Sequence, residues 1–212
     1  MRLRQTILLT GVLAAGLIAG CASQPAARMG ANSTLATQRW QIHENRLQSL
    51  DSFTLEARIA ASGSYGASGD LRWRQRGEHF VVHFSGPFGS GAVDISGTPG
   101  DVEIRTGDQR YHTADPETFL RRHYGWTLPV AGLRYWVLGV PTPARPAADV
   151  SYDHNGRALK LLQDGWVIDY DSYQGGGGYA LPRHFTLVAG KTEFRIVIDR
   201  WSDIAPAASS SG

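Results

Sequence analysis

The stretch "SFTLEARIA", Ser52–Ala60, alternates without a break. Phe53, Leu55, Ala57 and Ile59 fall on one side of an extended chain, and Thr54, Glu56 and Arg58 on the other, because successive strand side chains point to opposite faces. The stretch therefore reads as a strand with one dry and one wet face. The same pattern spreads outward from it. Leu71 and Trp73 alternate with Asp70, Arg72 and Arg74, and Phe80, Val82 and Phe84 with His79, Val81 and His83. It returns at Val93 and Ile95, Val102 and Ile104, Leu159 and Leu161, Trp166 with Ile168 and Tyr170, Phe185 and Leu187, and Phe194 with Ile196 and Ile198. Asp94, Glu103, Lys160, Asp169, Glu193 and Arg195 face away. Such repetition specifies antiparallel strands. Short turns at Arg76–Glu78 and Thr98–Asp101 join them as a meander.

Helices interrupt the strands. "STLATQRWQIHENRLQSL" sets Trp40, Leu47 and Leu50 on one stripe. "DPETFLRRHYG" opens with Asp115 as N-cap and Pro116 in the first turn, both start signals. "TLPVAGLRYWVLGVP", Thr127–Pro141, is apolar nearly all round, so it must lie against something dry, and Gly139 and Pro141 end it. A sheet of roughly ten strands with one continuous dry face tends to curl or close. The fold class is mainly β with some α: an incomplete, half-open or closed antiparallel β-barrel under a helical lid.

The ends carry different information. Arg2 and Arg4 precede a run of apolar and small residues from Ile7 to Ile18. Charge, length and flank mark residues 1–20 as a signal peptide, and the run is short of the roughly 20 apolar residues a membrane span needs. "LIAGC", Leu17–Cys21, resembles the lipobox of bacterial lipoproteins, cut between Gly20 and Cys21, with diacylglycerol then carried on the thiol. Cys21 is the sole cysteine, so no disulfide forms within a monomer, which is the expected state. Ala22 is not the Asp that retains many such proteins in the inner membrane. By this resemblance the destination is the outer membrane of a Gram-negative bacterium, anchored by lipid and facing the periplasm. Residues 21–33 read as a tether, 34–203 as one domain and 204–212 as a disordered tail. Arg2 and Arg4 account for the whole formal excess of +2, so the chain beyond the signal is neutral and offers nucleic acid no basic block.

Catalytic and metal constellations do not assemble. His79 and His83 are separated by about 13 Å on a strand, too far to share one ion. Asp169 and Asp171 share a strand face, but Tyr173, Gln174 and Ala180 stand where a calcium loop would need a ligand, its glycine and its bidentate acid. Both pairs read as solvated charges on a wet face. The run Gly175–Gly178 lacks the lysine of a phosphate loop and reads as a hairpin. No metal and no cofactor is expected beyond the covalent lipid on Cys21.

One loop resists a purely structural reading. "HFSGPFGSGAV", His83–Val93, is a glycine- and proline-rich connection with Phe88 at its centre, where hairpin tips are normally polar. With the lipobox, the helix from about Thr34, the "GPFGS" loop, "RYWVLGVP" at Arg134–Pro141 and the closing "IDRW" at Ile198–Trp201, the chain resembles the LolB family. The resemblance covers nearly all of the chain beyond the signal. It departs in the glycine run at 175–178, in "PTPARPA" and in the Ser-rich tail.

The resemblance implies an incomplete barrel around an apolar cavity and a protein that is not an enzyme. It would accept lipoproteins from a LolA-like periplasmic carrier and insert them into the inner leaflet of the outer membrane, in contact with its phospholipid. In that family the loop matching Pro87, Phe88 and Gly89 carries a protruding apolar residue implicated in membrane delivery, and Phe88 holds that place here. A Phe88 ring folded back onto the sheet is the structural alternative. For the acyl-chain cavity, Trp73, Phe84, Leu133, Trp136, Ile168 and Phe194 are nominated from the dry face and lid, about half of them expected to touch lipid. The rival reading is a lipid-anchored envelope-assembly protein with a filled barrel core.

Overall fold

In the computed structural model, which describes residues 34–62, 66–89, 91–124 and 130–208, the stretch 52–60 lies within a 13-residue strand, β1 (Leu50–Ser62). Phe53, Leu55 and Ala57 are buried as the alternation requires. Thr54 is buried too, on the opposite face between its register partners Arg74 and Ser202. Strands β2 (Ala67–Arg76), β3 (His79–Ser85), β4 (Val93–Thr98), β5 (Asp101–Thr106) and β6 (Gln109–Thr113) follow as an antiparallel meander. A second meander is built from β7 (Asp149–Tyr152), β8 (Ala158–Gln163), β9 (Trp166–Gly176), β10 (Tyr179–Ala189) and β11 (Thr192–Pro206).

The two meanders meet where β11 pairs with β1, giving one 11-stranded sheet in the order β6-β5-β4-β3-β2-β1-β11-β10-β9-β8-β7. The sheet does not close, since β6 and β7 are its two edges. The crossover between those edges carries the lid helices α2 (Pro116–Tyr124) and α3 (Val130–Trp136). Helix α1 (Thr34–Gln48) precedes β1. Among the described residues of the expected third helix, Val130–Trp136 are helical. The chain then turns through Val137–Val140, all buried, with Gly139 at φ +85°.

Two sequence expectations need correction. Leu159, assigned to the dry face, is 47 % exposed, and Ala158 is buried in its place. The register steps from Ser151↔Lys160 to Tyr152↔Ala158, leaving Leu159 without a partner as the extra residue of a β-bulge. The tail also begins later than 204, because β11 continues to Pro206 and Ile204 packs against the core beside Gly177. The hairpin read from the glycine run is a two-residue turn at Gly177 and Gly178, both at positive φ, the geometry that matches strand twist.

The wet face carries the charges its sequence promised. Asp94 accepts from His83 Nδ1 at 2.7 Å and Arg105 at 2.9 Å, hydrogen bonds that hold its carboxyl below the usual range. Asp169 pairs with Lys160 at 2.9 Å and Asp171 with His184 at 3.1 Å. Such exposed pairs contribute about 0–1 kcal/mol each. Stability comes from the other face, where Phe53, Leu55, Trp136, Ile168, Phe185, Phe194 and Ile198 are fully or almost fully buried. Each such side chain is worth about 1.5–3 kcal/mol when removed from water.

Candidate functional site

Strands β2 and β3 supply the wall of a cavity on the dry face. Trp73 and Gln75, two residues apart, point the same way. The indole Nε1 of Trp73 donates to Gln75 Oε1 at 3.0 Å, and Gln75 Nε2 donates to the Gly77 carbonyl at 2.8 Å, so the buried amide is satisfied and the ring is oriented. Phe80 and Val102 continue the apolar wall. Helix α3 closes over it with Val130, Arg134 and Tyr135, and the segment Thr142–Ala144 completes that side. The volume of this half-open space is about 360 Å³, within the range of ligand-holding clefts.

Acidic groups rim this space. Glu78 stands at the β2–β3 turn, and Asp115 and Glu117 at the start of α2. Asp115 is the cap the sequence predicted: its Oδ1 accepts from the Thr118 backbone N–H at 2.9 Å, which lowers its pKa. Glu117 is pushed upward, first by burial and then by the neighbouring Asp115 charge. Arg134 is the guanidinium of the lining, and its Nε is buried without a partner.

The nominated residues separate into groups. Trp73 lines the cavity. Leu133, on α3 beside Arg134, packs into the core, and Phe84 is half-buried farther along β3. Trp136, Ile168 and Phe194 lie deep in the core. Trp136 and Phe194 both pack against Trp166, with ring centroids 6.3 and 6.0 Å from it. Phe80, Val102, Val130, Arg134 and Tyr135 line the cavity without having been nominated. Phe80 and Val102 carried the same alternation signal as core residues, and alternation cannot mark which of them borders empty space.

The backbone of Pro87–Gly89 forms a single 3-10 turn, closed by the Gly89 N–H on the Gly86 carbonyl at 3.0 Å, with Pro87 and Gly89 exposed. The Phe88 side chain lies outside the described positions, as do Gly20, Cys21 and the whole of residues 1–33. The loop and the cavity rim occupy opposite ends of β3, about 20 Å apart along the strand. Helix α1 lies at the rim end, alongside the β7–β8 and β9–β10 turns. Arg39 donates to the His154 carbonyl, Trp40 stacks on Tyr152 at 5.5 Å, and the Arg46 guanidinium sits 4.8 Å from the Tyr179 ring.

Comparison with known proteins identifies the family. The family model described as "Outer membrane lipoprotein LolB" matches residues 51–201, from the first residues of β1 to well into β11. The chain is 37% identical over 200 residues to the outer-membrane lipoprotein LolB of Nitrosococcus oceani, covering 93% of this chain and 96% of that one. It is 35% identical over 191 residues to the LolB of Pseudomonas fluorescens, covering 87% and 90% respectively. Among solved structures, a LolA superfamily protein from Nitrosomonas europaea aligns with a TM-score of 0.47 at 10% identity, over 80% of this chain and 94% of that one. A match that takes in both meanders and the lid between them makes the chain a member of the outer-membrane lipoprotein LolB family.

Proposed function

We propose that this protein receives lipoproteins from a LolA-like periplasmic carrier and passes them into the inner leaflet of the outer membrane, handing over acyl chains without making or breaking a bond. The observation that carries the reading is the apolar cavity under α3, in a chain of the LolB family. Moving acyl chains through water costs about 0.8 kcal/mol per CH₂, so a donor, a receiver and a bilayer of rising affinity transfer them downhill without an energy source. The carboxylates of Glu78, Asp115 and Glu117 at the rim favour a carrier whose mouth is basic, since complementary charge steers encounter. In this reading Cys21 carries the lipid anchor, the protein works as a monomer, and Phe88 enters the lipid interface as cargo leaves.

A transfer assay tests the whole proposal. The carrier is loaded with a labelled lipoprotein and mixed with the Cys21→Ala chain and liposomes. Label passing to this protein and then to the liposomes is the expected result. Label that stays on a matched carrier, with this protein folded, overturns the handoff in favour of an envelope-assembly role.

A further inference from the structure

Arg134 is an expensive residue to place where it stands. It sits on α3 with Leu133 and Trp136, both buried, close beside it in sequence, and it is one of the residues lining the cavity. Its Nε makes no hydrogen bond. Its Nη2 reaches the Leu50 carbonyl only at 3.4 Å, and the charge lies 5.5 Å from the neighbouring Tyr135 ring. Among the described residues no carboxylate comes within ion-pair distance of it, although three share the cavity lining. Glu117 agrees: the charges that draw its pKa down are Arg145 and Arg121, and burial outweighs both. A buried donor left unpaired in an apolar wall is destabilising, so its retention calls for an acceptor that arrives with a ligand.

We infer that Arg134 is the polar anchor of the cavity, donating from its guanidinium to the ester or amide carbonyl oxygens that join acyl chains to their head group. This rests on the acyl-chain reading above and adds to it the part of the ligand recognised. Hydrocarbon tails give a cavity no direction, because dispersion and burial are indifferent to which methylene sits where. A single charged donor beside Tyr135 and Thr142 supplies one: carbonyls at Arg134, tails against Trp73, Phe80 and Val102. The planar fork suits carbonyl oxygens from two chains at once, which a lysine ammonium does not reproduce.

The test uses the Cys21→Ala chain and two probes of equal tail length, a diacyl glyceryl cysteine peptide and its dialkyl ether analogue, which lacks the ester carbonyls. The unsubstituted protein should hold the diacyl probe about tenfold more tightly, the size of one good hydrogen bond to a charged group. Arg134→Leu should remove that preference while holding the ether probe as before, with Arg134→Lys in between. No preference in the unsubstituted protein, a measurement that does not depend on any variant folding, overturns the inference. So does an equal loss for both probes in folded Arg134→Leu, which would make the residue a packing element. Binding of neither probe sinks the acyl reading and this inference together. The same ester also occurs in membrane phospholipid. Diacyl and dialkyl phospholipids in parallel show whether the site takes any acyl ester or only that of the cysteine peptide.

Discussion

Gln163 joins three pieces of chain through one buried amide. Its Oε1 accepts from the Trp136 indole at 2.7 Å and the Thr142 N–H at 2.9 Å, and its Nε2 donates to the Thr142 and Arg145 carbonyls at 3.2 and 2.6 Å. Gln163→Leu keeps the approximate volume and leaves these groups unpaired. Urea denaturation should show a loss of about 2–4 kcal/mol, since each orphaned buried group costs about 1–3 kcal/mol and part of the loss is relieved by relaxation. Nothing in the sequence singled Gln163 out. Alternation with Leu161 puts it on the dry face, but as the polar end of a strand it gives no sign of the distant groups it joins. Phe88 stands out in the sequence for the opposite reason, as an apolar residue among turn formers, and its proposed role is open to a direct test. Phe88→Glu should leave cargo binding intact and reduce insertion into liposomes at least tenfold, the ring being worth about 1.5–3 kcal/mol when buried in lipid. Loss of cargo binding in that variant would identify a packing role instead.

Among the elements, the two lid helices are held very differently. Helix α3 is pinned at its C-terminal end by Trp136, whose indole reaches Gln163 and whose carbonyl accepts from the Tyr170 hydroxyl at 2.9 Å. Helix α2 rests on the edge strand β6 through Tyr111, Phe119 and His123. Among the described side chains of α2 only Leu120 is buried. Amide exchange should therefore be faster in α2 than through β8 and the turn after α3, and equal protection would show a lid that moves as one body. The caps and the helix stop were visible in sequence because they are local chemistry, Asp115 before Pro116 and Gly139 before Pro141. The difference in anchoring was not, because it depends on partners far along the chain. Helix α1 carries a separate consequence in His43, whose Nε2 is buried without a partner. Burial, with Arg46 adding and Asp153 opposing, lowers its pKa below the ordinary 6.5. The unfolded chain therefore takes up the proton first, so stability present above pH 6.5 is lost as pH falls below it. The melting temperature should drop between pH 7 and 5, above the range where Asp94 and Asp153 titrate, and His43→Leu should flatten that drop.

At the scale of the whole molecule, strand positions and faces were readable, whereas the pairing of β1 with β11 was not. Alternation says which side of a strand is dry but carries no address for its neighbour. Openness was undecided for the same reason, and emptiness is not encoded in any single residue. The finished topology also constrains the proposed anchor. Helix α1 starts at the rim end of the sheet, opposite the Phe88 loop. From Cys21 to Thr34 the chain reaches at most about 45 Å, close to the length of the 13-residue strand β1 at about 3.3 Å per residue. Deleting residues 24–31 shortens that reach to under about 20 Å. Insertion by the anchored protein should then fall while the same deletion in the Cys21→Ala chain has no effect. Unchanged insertion would mean that anchor and loop need not reach one membrane.

Among the described residues no backbone ladder pairs the two edges of the sheet, β6 and β7, which the chain connects through residues 114–148. No backbone ladder has to break for that seam to widen, so the interior can swell by a slight flexing of every strand pair. About 360 Å³ is room for roughly a dozen water molecules, so under the proposed acyl-chain handoff a bulkier guest would have to be housed by bending the wall. The protein would then behave as an elastic clip. On that proposal its grip would be set by the stiffness of the sheet as a whole, and strain stored on filling would be returned when the guest departs.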